Sequence, residues 1–157
     1  MNLSRAKKIG RKKAYESVTI GVVVFYLTGI FIFSSEGLRS LLWISYLDLY
    51  NWVFILHWLI TFYFLAIFVG NFAGKKILID NRNYIIIGLQ SSLMMLVFGA
   101  FLGCFLGFIT EGIDNIGTND NPFVDYFFKP IFWIVIFGFI PSLLIGLFFG
   151  KRINVSK

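Results

Sequence analysis

The sequence predicts an all-α integral membrane protein with four transmembrane helices, and three observations lead to this fold class. The chain is 58% hydrophobic and only 14% charged, whereas soluble domains are about 45–50% apolar and about 25% charged. Its apolar residues gather in stretches that contain no Asp, Glu, Lys or Arg and are close to or above the roughly 20 residues that cross a bilayer. The charges lie between these stretches, which cover 17–33, 52–74, 84–110 and 130–150.

The distribution of charge predicts the orientation. Twelve of the fourteen Lys and Arg residues lie in segments 1–16, 75–83 and 151–157, and six of the eight acidic residues lie in 34–51 and 111–129. Basic segments stay in the cytoplasm. We therefore expect a multi-pass protein of a plasma (inner) membrane with both termini cytoplasmic. The net charge of +6 then reflects topology, and we expect no nucleic-acid partner.

The first part of the chain is a basic cytoplasmic segment, 1–16, followed by the first span, 17–33. This span is longer than the apolar core of a signal peptide, about 7–15 residues, and no Ala-x-Ala-like site follows it. We expect an uncleaved helix, with anionic lipid bound at the basic N-terminus. Segment 34–51 has apolar residues at helical spacing and aromatic residues suited to the headgroup level, and it predicts a short interfacial helix between spans one and two.

The remaining elements follow in order. Span two, 52–74, is joined to span three, 84–110, by the short link 75–83, which predicts an antiparallel pair of helices. An acidic outer loop, 111–129, leads to span four. Pro130 opens that span, at a position where proline fits the first turn of a helix. A cytoplasmic tail, 151–157, ends the chain.

Small residues recur every four positions and predict close helix packing. Lipid tails supply no hydrophobic drive for helix association, so close backbone contact must supply the attraction. By depth, we expect Gly99 and Gly103 to lie level with Gly138, and the inner glycines of span four to meet those of span two. Span four would then be wedged against the other two. The strips are Gly70 and Gly74; Gly99, Gly103 and Gly107; and Gly138, Ser142, Gly146 and Gly150.

Two alternatives remain open for these strips and for Pro141. The strips serve packing within one chain, or self-association and docking to another membrane protein. Pro141 removes a backbone hydrogen bond in the middle of span four. It produces a static kink, or together with Gly138 it acts as a hinge.

Polar residues inside the spans form a candidate polar path of His57, Gln90, Ser91 and Ser92. Intramembrane ionisable groups are functional candidates, but His57 has no charged partner within the spans. The alternative is that each polar group bonds to a neighbouring helix. The three consecutive residues lie too far along the helix axis to join His57.

Cofactor, metal and catalytic signatures do not emerge from the sequence. Cys104 is the single cysteine, so it forms no intrachain disulfide or CxxC pair. The acidic loop offers oxygen ligands, yet its spacing matches no calcium loop, and a solvated loop explains it. We find neither HExxH nor a Ser-His-Asp set at one depth. We expect no enzyme, cofactor or metal.

The expected function is binding rather than catalysis. We expect a non-enzymatic accessory, regulatory or immunity-type subunit that contacts another membrane protein through helix surfaces. The alternative is a small oligomeric channel or transporter for a small solute or ion. In its profile of small size, four spans and a basic inner side, the chain is similar to immunity proteins that guard the inner membrane against pore-forming bacteriocins. That resemblance implies a membrane-protein partner.

Overall fold

The computed structural model describes residues 1–42, 49–114, 116–117 and 121–156, and helices are the only regular secondary structure within them. There are four α-helices and two π-helical turns in these ranges. The prediction of an all-α chain is therefore confirmed for the described residues. The elements are α1 (Leu3–Leu42), α2 (Leu49–Leu78), α3 (Tyr84–Gly107), the π-turns Phe108–Gly112 and Val124–Phe128, and α4 (Lys129–Asn154).

The link between α2 and α3 shows why the chain reverses there. Lys75 and Lys76 lie in the last turn of α2, where cations complement the negative end of the helix dipole. Asn81 adopts a positive φ of 50°, a conformation that asparagine tolerates better than most residues. The Asn83 side chain then accepts a hydrogen bond from the Ile85 backbone N–H and caps α3.

Each helix packs antiparallel against the next, and α4 returns to α1, so that the four form a ring. Contacts along α1 run in the opposite sense to those along α2: Gly10 meets Gly74, while Thr19 meets Tyr63. Contacts from α3 to α4 and from α2 to α3 show the same reversal. The bundle therefore has an up-down-up-down topology.

Three helical segments in the described part of the chain are long and apolar enough to cross a membrane: Ile55–Leu78, Tyr84–Thr110 and Val124–Asn154. They correspond to predicted spans two, three and four. Predicted span one falls inside α1, whose 40 residues extend about 60 Å at 1.5 Å per residue. The helix is thus longer than the span predicted for it.

The segment expected to form a separate interfacial helix has a different structure. Helix α1 continues without a break to Leu42, and α2 begins at Leu49. The described parts of 34–51 are therefore the ends of two long helices. The residues between them, 43–48, lie outside the described residues.

The buried core lies towards one end of the bundle, called here the basic end because the basic segments 3–16, 75–82 and 151–152 lie there. The opposite end is called the far end. The segment predicted only as a basic terminus is part of α1, and its small residues Ala6, Gly10 and Ala14 are buried. In α4, by contrast, no residue from Lys129 to Ile145 is buried. The buried apolar cluster consists of Ala6, Ala14, Ala66, Val69, Ala73, Ile77, Leu78, Ile87, Phe149 and Ile153.

Candidate functional site

Helices α1 and α2 touch through their backbones at the basic end. A Cβ atom built on Gly70 would lie 2.8 Å from the Gly10 carbonyl oxygen and 2.7 Å from the Arg11 Cα. One built on Gly74 would overlap the Ala6 carbonyl oxygen. Real Cβ atoms do not approach backbone this closely, so only glycine fits these positions. This contact was not predicted, because Gly10 lies among charges that were interpreted as a topology signal.

Helices α3 and α4 form a second backbone contact of the same kind. A Cβ on Gly88 would overlap the Gly146 carbonyl oxygen, and one on Gly150 would overlap the Tyr84 carbonyl oxygen. The hydroxyl of Ser92 also lies against Gly146. Gly146 and Gly150 therefore pack against α3, and Gly70 and Gly74 pack against α1. The predicted meeting of these two glycine pairs is wrong, since depth along the helix does not determine which side a residue faces.

The glycines nearer the far end receive side chains rather than backbone. Gly99 faces the ring of Phe62, and Gly103 faces the ring of Trp58; these two rings stack with centroids 5.7 Å apart. Gly138 faces the end of the Leu96 side chain. Gly99 and Gly103 thus contact α2, although the sequence placed them beside Gly138. Helix α4 does contact both α2 and α3, as expected, but mostly α3.

The candidate polar path is divided among different surfaces. Gln90 is exposed, Ser91 is fully buried, and the Ser92 hydroxyl donates to the Leu89 carbonyl at 2.9 Å. Consecutive residues point about 100° apart around a helix, so these three cannot line one lane. The His57 Nε2 donates to the Leu102 carbonyl of α3 at 3.0 Å. The four side chains do not come together.

Pro141 and Ser142 lie within one continuous helix. Helix α4 runs from Lys129 to Asn154 with Pro141 inside it. The Ser142 hydroxyl donates to the Phe139 carbonyl of its own helix at 2.8 Å, so Ser142 contributes its hydrogen bond locally rather than across an interface. The hinge at Pro141 stays a prediction.

Charged side chains connect α1 with α4 at the basic end. Glu16 of α1 accepts a bond from Arg152 of α4 at 2.6 Å and pairs with Lys13 at 3.2 Å. The Arg152 guanidinium also lies over the Phe148 ring, 5.2 Å from its centroid. Long charged side chains therefore connect α1 with α4 at this end.

The far end contains an open apolar groove of about 200 Å³. Both π-helical turns lie beside it: Gly107 precedes the first, and Tyr126 belongs to the second. Five phenylalanines pack around one another here through Phe127, which is buried; they are Phe101, Phe105, Phe108, Phe123 and Phe127. The lining residues are Trp58, Gly103, Cys104, Gly107, Tyr126, Pro130 and Ile134.

The acidic loop is described only in part. Asp125 pairs with Lys129 one helical turn later. Within the described residues, no three His, Cys, Asp or Glu side chains come close enough to hold a metal ion. Asn115, Asn119 and Asp120 lie outside that part of the chain.

These features define the class of protein: a helical membrane protein with an apolar groove at its far end, in which most of the described side-chain hydrogen bonds are local. The comparisons with known proteins do not refine this class. No family model matches the chain, and neither a curated protein nor a solved structure resembles it significantly.

Proposed function

We propose that the chain is a non-enzymatic accessory, regulatory or immunity-type subunit that binds another integral membrane protein through the far half of α4. The observation that carries this proposal is the open surface of that half-helix. In the most apolar 18 residues of the span Val124–Asn154, only 6% of the residues are buried within the chain. The corresponding share is 22% in each of the other two spans. A partner helix can cover this surface without displacing anything in the bundle.

Aromatic side chains make this surface suitable for a protein partner. Trp133 and Phe137 stack with centroids 5.6 Å apart, and Phe132 packs edge-on against Trp133. Phe137 is 71% exposed. Aromatic residues are enriched in protein interfaces and dominate their energies. The rings also form a relatively rigid ridge, so less conformational entropy is lost when a partner covers them.

The glycine contacts support the same proposal in a different way. Gly10, Gly70 and Gly74 are occupied within the chain, as are Gly88, Gly146 and Gly150. A partner that docks on these strips would have to separate the bundle. The proposed docking surface therefore consists of exposed side chains, and it differs from the glycine-mediated docking expected from the sequence.

The proposal includes the membrane orientation. Four spans with the basic end in the cytoplasm would place both termini on the cytoplasmic side of a plasma membrane. The aromatic ridge of α4 would then lie in the outer leaflet. The exposed cations Arg5, Lys8 and Lys12 on α1 would then face anionic lipid, each contributing about 1 kcal/mol near the surface.

Site-specific photocrosslinking tests the proposed surface. A benzophenone amino acid replaces Phe137 in cells of the native host, and the adduct is identified by mass and peptide sequencing. The matched control carries the same group at Phe68, which is 58% exposed and forms a similar one-turn aromatic pair with Phe64. We expect a discrete heteromeric adduct from position 137 and only lipid adducts from position 68. Equal labelling at both positions, or lipid alone at both, would overturn the proposal.

A further inference from the structure

Gln90 carries a primary amide on the outer surface of an apolar helix. Its side chain is exposed, and it makes no hydrogen bond to any described residue. The adjacent serines differ from it, because Ser91 is fully buried and Ser92 bonds to a carbonyl of its own helix. The amide of Gln90 is thus the one polar group of this trio that the bundle leaves on its surface.

The surrounding face of α3 is apolar. At about 100° per residue, Ile86, Gln90, Val97 and Phe101 lie within about 60° of one another around the helix. Ile86 is 61% exposed, Val97 48% and Phe101 50%. Gln90 therefore lies in the middle of an exposed apolar stripe rather than at its edge.

The position of Gln90 along the helix places its amide away from the polar boundary. It lies about 9 Å from Tyr84 at 1.5 Å per residue, and Ile85, Ile86 and Ile87 come between them. Hydrocarbon offers neither donors nor acceptors, so an unpaired amide there is unfavourable. A hydrogen-bonding group of another molecule would remove that cost.

We propose that the Gln90 face of α3 binds the same face of a second copy of this chain. An amide is self-complementary, because it carries both N–H donors and a carbonyl acceptor. Two copies in one membrane share one orientation, so a two-fold axis along the membrane normal brings Gln90 against Gln90 of the second copy. Each amide then donates to the other, and the apolar stripe packs around the pair in an isologous interface. A lysine or a carboxylate in this position would instead face the like charge of the second copy and repel it.

Association of labelled protein in phospholipid vesicles tests the dimer. Copies carrying donor or acceptor dyes at the C-terminus are mixed, and energy transfer is followed across a series of protein-to-lipid ratios. We expect Gln90→Leu to lower the association constant about tenfold, in line with the measured strength of interhelical hydrogen bonds. Gln90→Asn keeps the amide and should retain most of the association. Because Gln90 is exposed, the helicity of Gln90→Leu should equal that of the native chain.

Disulfide crosslinking provides a second, geometric readout. In a Cys104→Ala background, Val97→Cys places a thiol on the Gln90 face, and Phe68→Cys places one on an exposed face of α2 as a control. We expect disulfide dimers from the first variant only.

Three results would overturn the proposal. They are an association constant unchanged by Gln90→Leu, a native chain that stays monomeric at every ratio, and equal crosslinking at positions 97 and 68. A monomer would mean that lipid or water meets the amide.

Discussion

The two ends of the bundle use glycine in different ways. At the basic end, Gly10 and Gly88 lie against backbone atoms of the facing helix. At the far end, Gly103 lies against the ring of Trp58, and Gly138 lies against the tip of Leu96. The first arrangement brings two helices into backbone contact, whereas the second makes room for a large side chain between them.

The opposing residue explains the difference. Where a glycine faces another small residue, as Gly88 faces Gly146, the backbones close together. Where it faces an aromatic or a branched side chain, the missing Cβ becomes space that this side chain fills. A strip of glycines on one helix therefore predicts a contact, but the facing helix decides how close the contact is.

Alanine substitution of one glycine at each end should separate the two arrangements most clearly. The new methyl group of Gly88→Ala would meet the Gly146 carbonyl oxygen, which is backbone and cannot move alone. We expect a loss of about 1–3 kcal/mol in the free energy of unfolding, as for other overpacked cores. The measurement is unfolding by dodecyl sulfate in mixed micelles, followed by circular dichroism.

Gly138→Ala is the matched control in the same helix pair. Its new Cβ would lie 2.6 Å from Leu96 Cδ1, at the end of a side chain that can rotate away. We expect a loss below about 1 kcal/mol. Equal losses for the two variants would show that the opposing residue does not matter, and the contrast between the two ends would fail.

A smaller effect is expected from the interhelical hydrogen bond of the far end. His57→Leu removes the bond from Nε2 to the Leu102 carbonyl. Such bonds in membranes contribute about 0.6 kcal/mol on average and at most about 1.7 kcal/mol, and we expect a loss of this size. Thr19→Val serves as the comparison, because it removes the 2.8 Å hydrogen bond between the hydroxyls of Thr19 and Tyr63. Both residues are exposed, so the loss in unfolding free energy should be smaller. If His57→Leu unfolds at the native dodecyl sulfate concentration, this bond does not hold the far end together.

The smallest effect should come from the ion pair at the basic end. Glu16→Gln removes the charge that Arg152 and Lys13 share. The side chains of Glu16 and Arg152 are 28% and 33% exposed, and pairs with this access to solvent contribute at most about 1 kcal/mol. The difference in unfolding free energy should shrink further at high salt. A loss as large as that of Gly88→Ala would instead make this charge pair, rather than the glycine contact, the main stabiliser of the basic end.

The sequence predicted the helices better than their contacts. Predicted span three begins at Tyr84, where α3 begins, and span four lies within α4. These elements follow from long apolar stretches bounded by charge, and that signal is local. The predicted link 75–83 likewise overlaps the capped reversal that ends at Asn83.

Contacts between helices depend on rotation about each axis, which depth does not supply. Gly88 was overlooked because it does not continue the spacing of Gly99 and Gly103. Gln90 was grouped with Ser91 and Ser92 because the three are adjacent, although adjacent residues face different directions. Small residues recur every three or four positions in residues 6–17, and this spacing predicts the packing face of α1. The basic residues around them were interpreted only as a topology signal.

The backbone contacts at the basic end have a consequence for how the protein is made. One joins α1 to α2 and the other joins α3 to α4, so each joins helices that are neighbours in the chain. During synthesis, the first pair can close before the second pair has entered the membrane. Each pair of helices would then insert as a unit that its own glycine contact holds together. Two fragments divided between Leu78 and Tyr84 should therefore assemble when they are expressed together.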